Sequence, residues 1–309
     1  MKKNPLTRIL TGCLIILISV CAIAAQRRSK VKPKAKAKPI IFAVVNDGQM
    51  IEPLAFIDKG ELEQTTGGDS EEKVLAGFVK TYYQPKTTYR LVFGGADAGT
   101  VTVKSSNTKA DCSRNMAQVT AQSGRAKLKG FVMALATNAP VGKTASGVRR
   151  LPTATERAEI ETLVRAEFAK QNVAADDLKN LKYHNLTALD VDNDKKVEMV
   201  GSFWVETSPT SRALLFFIAD KGAGGKYSFG HSEFKSVKKE ELMSGGEMQM
   251  VDDGVYHERL LDALEYDGDT TAEIFTYAES FEGSSFTAYS RRDGKWVKAF
   301  EGSNYHCAF

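Results

Sequence analysis

Histidine is scarce in this chain of 309 residues, with only four. His184, His231, His257 and His306 have no metal-ligand spacing, and no His-Glu-x-x-His helix is present. A zinc-hydrolase signature is therefore missing. The nucleophile elbow of serine hydrolases is missing too, because GHSEF at 230–234 lacks its second glycine. The tripeptide GKT at 142–144 follows the apolar FVMALA, but Thr137 stands where a phosphate-binding loop needs its first glycine. The ASGVRRLP that follows is loop-like and offers no helix. Acids are absent from residues 1–38, which hold ten of the 42 basic residues, so the rest carries 32 basic residues against 38 acidic ones, a net charge of −6. The basic sequence pI of 8.7 thus belongs to the N-terminus, and an acidic body is a poor partner for nucleic acid.

The N-terminus reads as an export signal over residues 1–25. Lys2, Lys3 and Arg8 precede an apolar stretch of about 17 residues that ends in Ala22-Ile23-Ala24, a small-x-small cleavage pattern. QRRSKVKPKAKAKPI follows, with seven Lys or Arg, no acid and two prolines, a composition expected of a disordered tether over 26–38. The expected address is the periplasm or the extracellular space, with no membrane span once the signal is cleaved. Loss of the signal removes Cys13 and Cys21 and leaves Cys112 and Cys307. A lone pair in an oxidising compartment is expected to bridge.

The body predicts an α+β fold, mostly antiparallel β. Residues 39–148 read as an N-terminal β-rich domain: IIFAVV, YRLVFGG, GTVTVKSS, AQVTAQ and GFVMALAT are short and rich in β-branched residues. One amphipathic helix interrupts them, with Asp69 expected as its cap, Glu72 as the box partner, and Val74, Leu75, Phe78, Val79 and Tyr82 on one face. Residues 149–309 read as a second helix followed by two β units. That helix has Thr153 and Glu156 as a capping box and Ile160, Leu163, Val164 and Phe168 as its buried stripe.

The two units are a repeat. LDVDNDKKVEMVGSFW (189–204) aligns without gaps on LEYDGDTTAEIFTYAE (264–279) at an offset of 75 residues. Each runs from an apolar strand into an acidic turn and returns on an acid-aliphatic pair. Each continues as a second hairpin, ALLFFIADKGAGGKYSF and SFTAYSRRDGKWVKAF, with Gly-Lys-aromatic at the turn. Over 182–235 and 257–305 this pattern resembles FG-GAP and VCBS-type repeats. That resemblance implies propeller-blade-like units of β-hairpins and calcium held by the acidic loop. Its ligand positions fall on Asp190, Asp192, Asp194 and Glu198 in the first loop and on Glu265, Asp267, Asp269 and Glu273 in the second. The pattern's glycine after the third acid is Lys195 in one loop and Thr270 in the other. Calcium takes six to eight hard oxygens, so four carboxylates per loop supply ample charge, while Lys195 and Lys196 oppose an ion in the first.

Two functional classes stay open on the sequence. The first is an exported, non-enzymatic binding or structural module of the cell envelope, stabilised by calcium, with an envelope protein or polysaccharide as partner. The second is a hydrolase acting on envelope or extracellular polymers through carboxylates of the acidic loops, which a buried pair of carboxylates in a pocket would favour.

Overall fold

The run IIFAVV becomes β1 (Ile40–Val45), and all six residues are buried because both strand faces are covered. The computed structural model describes residues 37–242, 251–280 and 282–307. The export signal at 1–25 and the tether up to residue 36 lie outside the described residues. β2 (Met50–Asp58), β4 (Thr88–Phe93), β5 (Ala96–Ser106), β6 (Ala117–Ser123) and β7 (Ala134–Thr137) join β1 in a closed six-stranded antiparallel barrel. The order is β1, β7, β4, β5, β6, β2 and back to β1, while β3 (Glu61–Gln64) pairs with the far end of β2. Closure removes the exposed edges that an open sheet of such apolar strands would present.

β2 is not among the strands expected from the sequence, and it contains Pro53, which cannot donate to a ladder. The barrel accommodates it beside a β-bulge, where Phe42 pairs with Pro53 and Ile41 pairs with Ala55, leaving Leu54 as the extra residue. The helix that interrupts the barrel, α1 (Glu72–Tyr82), starts later than Asp69 predicts: its N-cap is Glu71, and no side chain bonds the first turn. Leu75, Phe78 and Tyr82 are buried as expected, whereas Val74 is exposed. Phe78 and Tyr82 pack on Phe56, and Tyr83 just beyond the helix packs on Phe42.

The rest of the chain forms two antiparallel sheets. β8 (Arg149–Arg150), β9 (Lys182–Leu189), β10 (Glu198–Ser208), β11 (Ser211–Lys221) and β12 (Tyr227–Lys238) make the first, in sequential order. β13 (Arg259–Leu264), β14 (Glu273–Glu279), β15 (Gly283–Arg292) and β16 (Lys295–Tyr305) make the second, also sequential. The repeat is visible in the register. Glu198 pairs with Leu189 in one unit and Glu273 with Leu264 in the other, 75 residues apart in both partners. Each unit is an up-and-down meander of four strands with its acidic loop in the first hairpin.

Packing sorts these elements into layers. The second helix, α2 (Ala154–Lys170), has the predicted Thr153–Glu156 capping box and lays Ile160, Val164 and Phe168 on one face of the β8–β12 sheet. The other face of that sheet, through Leu189, Val200, Phe216 and Ile218, meets Leu260, Ala263, Ile274, Tyr289 and Trp296 of the β13–β16 sheet. That second sheet then turns Leu261, Leu264, Phe275, Tyr277 and Phe286 onto Ile41, Ala43, Val45, Val92 and Leu135 of the barrel wall. The β13–β16 sheet is thus the central layer, buried on both faces. This accounts for the near-continuous burial along β13 and β14.

Polar contacts lock the barrel to this layer. Asp262, fully buried, takes the Arg149 guanidinium at 2.6 Å and the Gly95 amide at 2.8 Å. Gly95 has φ +72°, and a Cβ there would lie 2.3 Å from that of Ala145, so only glycine fits. Glu52 on the barrel wall, also fully buried, accepts from Ser284 Oγ at 2.5 Å and Asn304 Nδ2 at 2.9 Å and contacts His306 Nε2 at 2.7 Å. Cys112 and Cys307 lie at disulfide distance, with sulfurs 2.17 Å and Cα atoms 5.3 Å apart, and fasten the end of β16 to the loop before β6.

Candidate functional site

The first acidic loop, between β9 and β10, gathers Asp190, Asp192 and Asp194 with their carboxylates within 4.8 Å of one another. Asp192 and Asp194 cap the backbone amides of Asp194 and Lys196, the usual behaviour of Asp in turns. The φ of Lys195 is +69°, so a lysine holds the left-handed conformation for which the repeat pattern uses glycine. Two cations already serve this loop. Lys196 pairs with Asp194 at 2.9 Å. Arg291, from β15 of the other unit, reaches Asp192 at 3.0 Å, Glu198 at 3.3 Å and Asp220 in a still shorter contact. The guanidinium also lies over the Trp296 ring, whose indole N–H donates to Asp220 at 3.0 Å. Burial nonetheless pushes the Glu198 carboxyl up to about 7, against the opposing pull of Arg291.

The second loop, between β13 and β14, gathers Glu265, Asp267 and Asp269 in the same way. Its turn is made by Gly268 at φ +92°, and Glu265, Asp267 and Asp269 accept from the amides of Gly268, Asp269 and Thr271. Among the described residues no Lys, Arg or His pairs with any acid of this loop, in contrast to the first. The register equates Met199–Ala219 with Ile274–Tyr289, so Lys221 is the counterpart of Arg291. Its ammonium lies over the Tyr227 ring instead. Glu273 at the foot of the loop is fully buried, and neither carboxylate oxygen has a hydrogen-bond partner among the described residues. One oxygen of Glu265 is likewise buried and unpartnered. Burial, then the neighbouring Asp267, pushes the Glu273 carboxyl up to about 9.

The two loops therefore differ in their fitness for a divalent ion. In the second, the clustered carboxylates of Glu265, Asp267 and Asp269 have no cation among the described residues, and buried oxygens of Glu265 and the nearby Glu273 have no hydrogen-bond partner there. In the first, the guanidinium of Arg291 neutralises Asp192 and Glu198 and Lys196 pairs with Asp194, while Asp190 Oδ1 is buried without a partner among the described residues.

A cleft of about 180 Å³ opens between the two meanders, lined by neither acidic loop. Its charged and imidazole side chains, with one of its hydroxyls, are Glu233 and Lys235 from β12, His257 and Glu258 before β13, Thr276 from β14, and Lys298 and Glu301 from β16. Glu258 Oε1 accepts from Thr276 Oγ1 at 2.5 Å and from the Tyr289 hydroxyl at 2.8 Å, and Ser202 fixes its backbone carbonyl. Burial raises the Glu258 carboxyl above its ordinary range, while Lys235 and Lys298 hold Glu233 below its own. Burial and the stacked ring of His184, 4.4 Å away, push His257 down to about 4, so it is neutral.

The sequence reading missed Arg291 and Glu258. Arg291 sits in SRRDG, where the Asp-Gly turn explains the segment without it; its partner loop is 99 residues away. Glu258 lies in a polar stretch before a strand, with no pattern to set it apart. Comparison with protein-family models, with curated proteins and with solved structures finds no match.

Proposed function

We propose that this is an exported, non-enzymatic binding or structural module of the cell envelope, stabilised by calcium in its second acidic loop, with an envelope protein or polysaccharide as its partner. The observation that supports the calcium reading is the cluster of Glu265, Asp267 and Asp269, with no cation among the described residues, next to the buried Glu273, whose oxygens have no partner among them. Glu265, Asp267, Asp269 and Glu273 would hold the ion, which would supply the positive charge that Arg291 supplies to the first loop. On this reading the two meanders are divergent copies of one blade-like FG-GAP or VCBS-type unit. One copy has exchanged its ion for a side chain of its neighbour. The Cys112–Cys307 pair supports export, because structural disulfides persist in oxidising compartments. The hydrolase reading places its carboxylates in the acidic loops, and neither loop lines the cleft described above, whose own carboxylates are Glu233, Glu258 and Glu301.

Thermal unfolding of the mature protein in calcium and then in chelator tests this. At a hundredfold excess over its dissociation constant, calcium is expected to add about 2.7 kcal/mol, a rise of roughly 5 °C in a chain of this size. Glu273→Gln is expected to melt higher than wild type in chelator and to lose most of the calcium response. A calcium shift that persists in Asp267→Ala/Asp269→Ala, or no shift in wild type, would refute the assignment.

A further inference from the structure

The cleft between the meanders holds a carboxylate, Glu258, that has no ion pair among the described residues. Glu258 Oε1 is occupied by two hydroxyl donors, both neutral, and among the described residues no Lys, Arg or His forms an ion pair with this carboxylate. The nearby cations are already engaged: Lys235 bonds Glu233 at 2.8 Å, and Lys298 bonds Glu233 and Glu301 at 3.0 Å each. His257 is neutral, and Nε2 of His231, whose ring packs 4.8 Å from Tyr289, is buried without a partner. The lining thus carries three carboxylates against two ammoniums, and Glu258 is the one of the three without an ion pair among the described residues. Apolar walls of Phe203, Leu214, Phe216 and Phe286 surround it. An isolated carboxylate in such surroundings is costly, and a cation of the right size relieves the cost while its stem packs on the rings.

We propose that this cleft is a binding site for a small ligand bearing a primary ammonium group, received by Glu258 with Thr276 and Tyr289 holding the carboxylate in place. The ammonium would donate to the carboxylate, its alkyl or sugar carbons lying against Phe216 and Phe286. This assigns a ligand class to the binding module and so rests on that reading, but not on the calcium loop. Glu258 precedes β13 and Glu265 follows it, so the two sites lie at opposite ends of one strand, about 20 Å apart.

The test is calorimetric titration of the mature protein at neutral pH and low salt with n-pentylammonium, and with 1-pentanol as the neutral probe of the same shape. Saturable binding of the ammonium but not the alcohol is expected, and Glu258→Gln should weaken it at least tenfold. As a check that does not depend on the variant folding, pentylammonium should shift the wild-type amide resonances of Thr276, Thr287 and His257. Lysine amide and glucosamine, run in parallel, distinguish a peptide amine from an amino sugar as the source. Whichever binds more tightly through Glu258 names it. Equal binding of alcohol and ammonium, undiminished binding to Glu258→Gln, shifts confined to other residues, or no binding of any of the three amines would each overturn the proposal. The calcium response is read on Asp267 and Asp269 variants, so its failure is separable from failure here.

Discussion

Replacing Arg291 by methionine removes one charge, keeps the aliphatic stem, and strands three carboxylates. Glu198 matters most, because its side chain is only 4% exposed, whereas Asp192 and Asp220 reach solvent at about a fifth of their surface. Breaking a buried ion pair by deleting one partner costs about 3–5 kcal/mol, since the other charge remains buried. The Arg291 side chain is itself 21% exposed, which places the expected loss at the lower end, about 3 kcal/mol. In a chain of this size that lowers the melting temperature by roughly 6 °C. A second consequence separates ion replacement from simple bridging. Without the guanidinium, Asp190, Asp192, Asp194 and Glu198 keep Lys196 as their one paired cation among the described residues, and the loop approaches the composition of the second loop, for which calcium is proposed. Arg291→Met combined with Asp267→Ala/Asp269→Ala should therefore regain a calcium-dependent rise in melting temperature that the double variant alone lacks. Differential scanning calorimetry in calcium and in chelator reads both effects. A loss within about 1 °C of that caused by the exposed control Arg292→Met would refute the reasoning. So would a triple variant indifferent to calcium.

Two further outcomes follow from contacts elsewhere. Denatured, unreduced mature protein should show no reactive thiol, and reduction should cost about 5 kcal/mol on the chain-entropy account of a loop spanning 195 residues; two titratable thiols would remove the bridge. Arg150, then the Thr153 amide and hydroxyl, hold the Glu156 carboxyl down at about 2, below its unfolded value of about 4.5, so its contribution is present above pH 4.5 and lost as pH falls toward 2. That difference is worth about 3 kcal/mol, and Glu156→Gln should flatten the acid limb of the stability profile; parallel profiles for the two proteins would contradict it.

The repeat was legible because it is written in local terms: two acidic turns, two apolar approaches and two Gly-Lys-aromatic hairpins need no knowledge of the fold. The Thr153–Glu156 box was legible for the same reason, and the cysteine pair by elimination. What stayed hidden depends on distant partners. Asp262 looks like a stray acid in the apolar strand RLLDAL until Arg149 and the Gly95 amide close on it from the barrel. Pro53 looks like a strand breaker until the bulge at Leu54 absorbs it. The four-carboxylate pattern is equally plain in both acidic loops; Lys195 and Lys196 beside the first are visible in the sequence, but Arg291, which reaches it from β15, is not.

The central position of the β13–β16 sheet has a consequence for the order of events during synthesis. A segment that follows both the barrel and the β8–β12 sheet in the chain supplies the layer that separates them. Until it arrives, the wall of the barrel formed by Ile41, Ala43, Val45 and Leu135 has nothing to face, and neither does the inward face of Val200, Phe216 and Ile218. A nascent chain that lacks these strands thus carries two unsatisfied apolar surfaces at once, the condition that recruits chaperones or favours aggregation. Native burial on both sides requires the four strands β13–β16 between them.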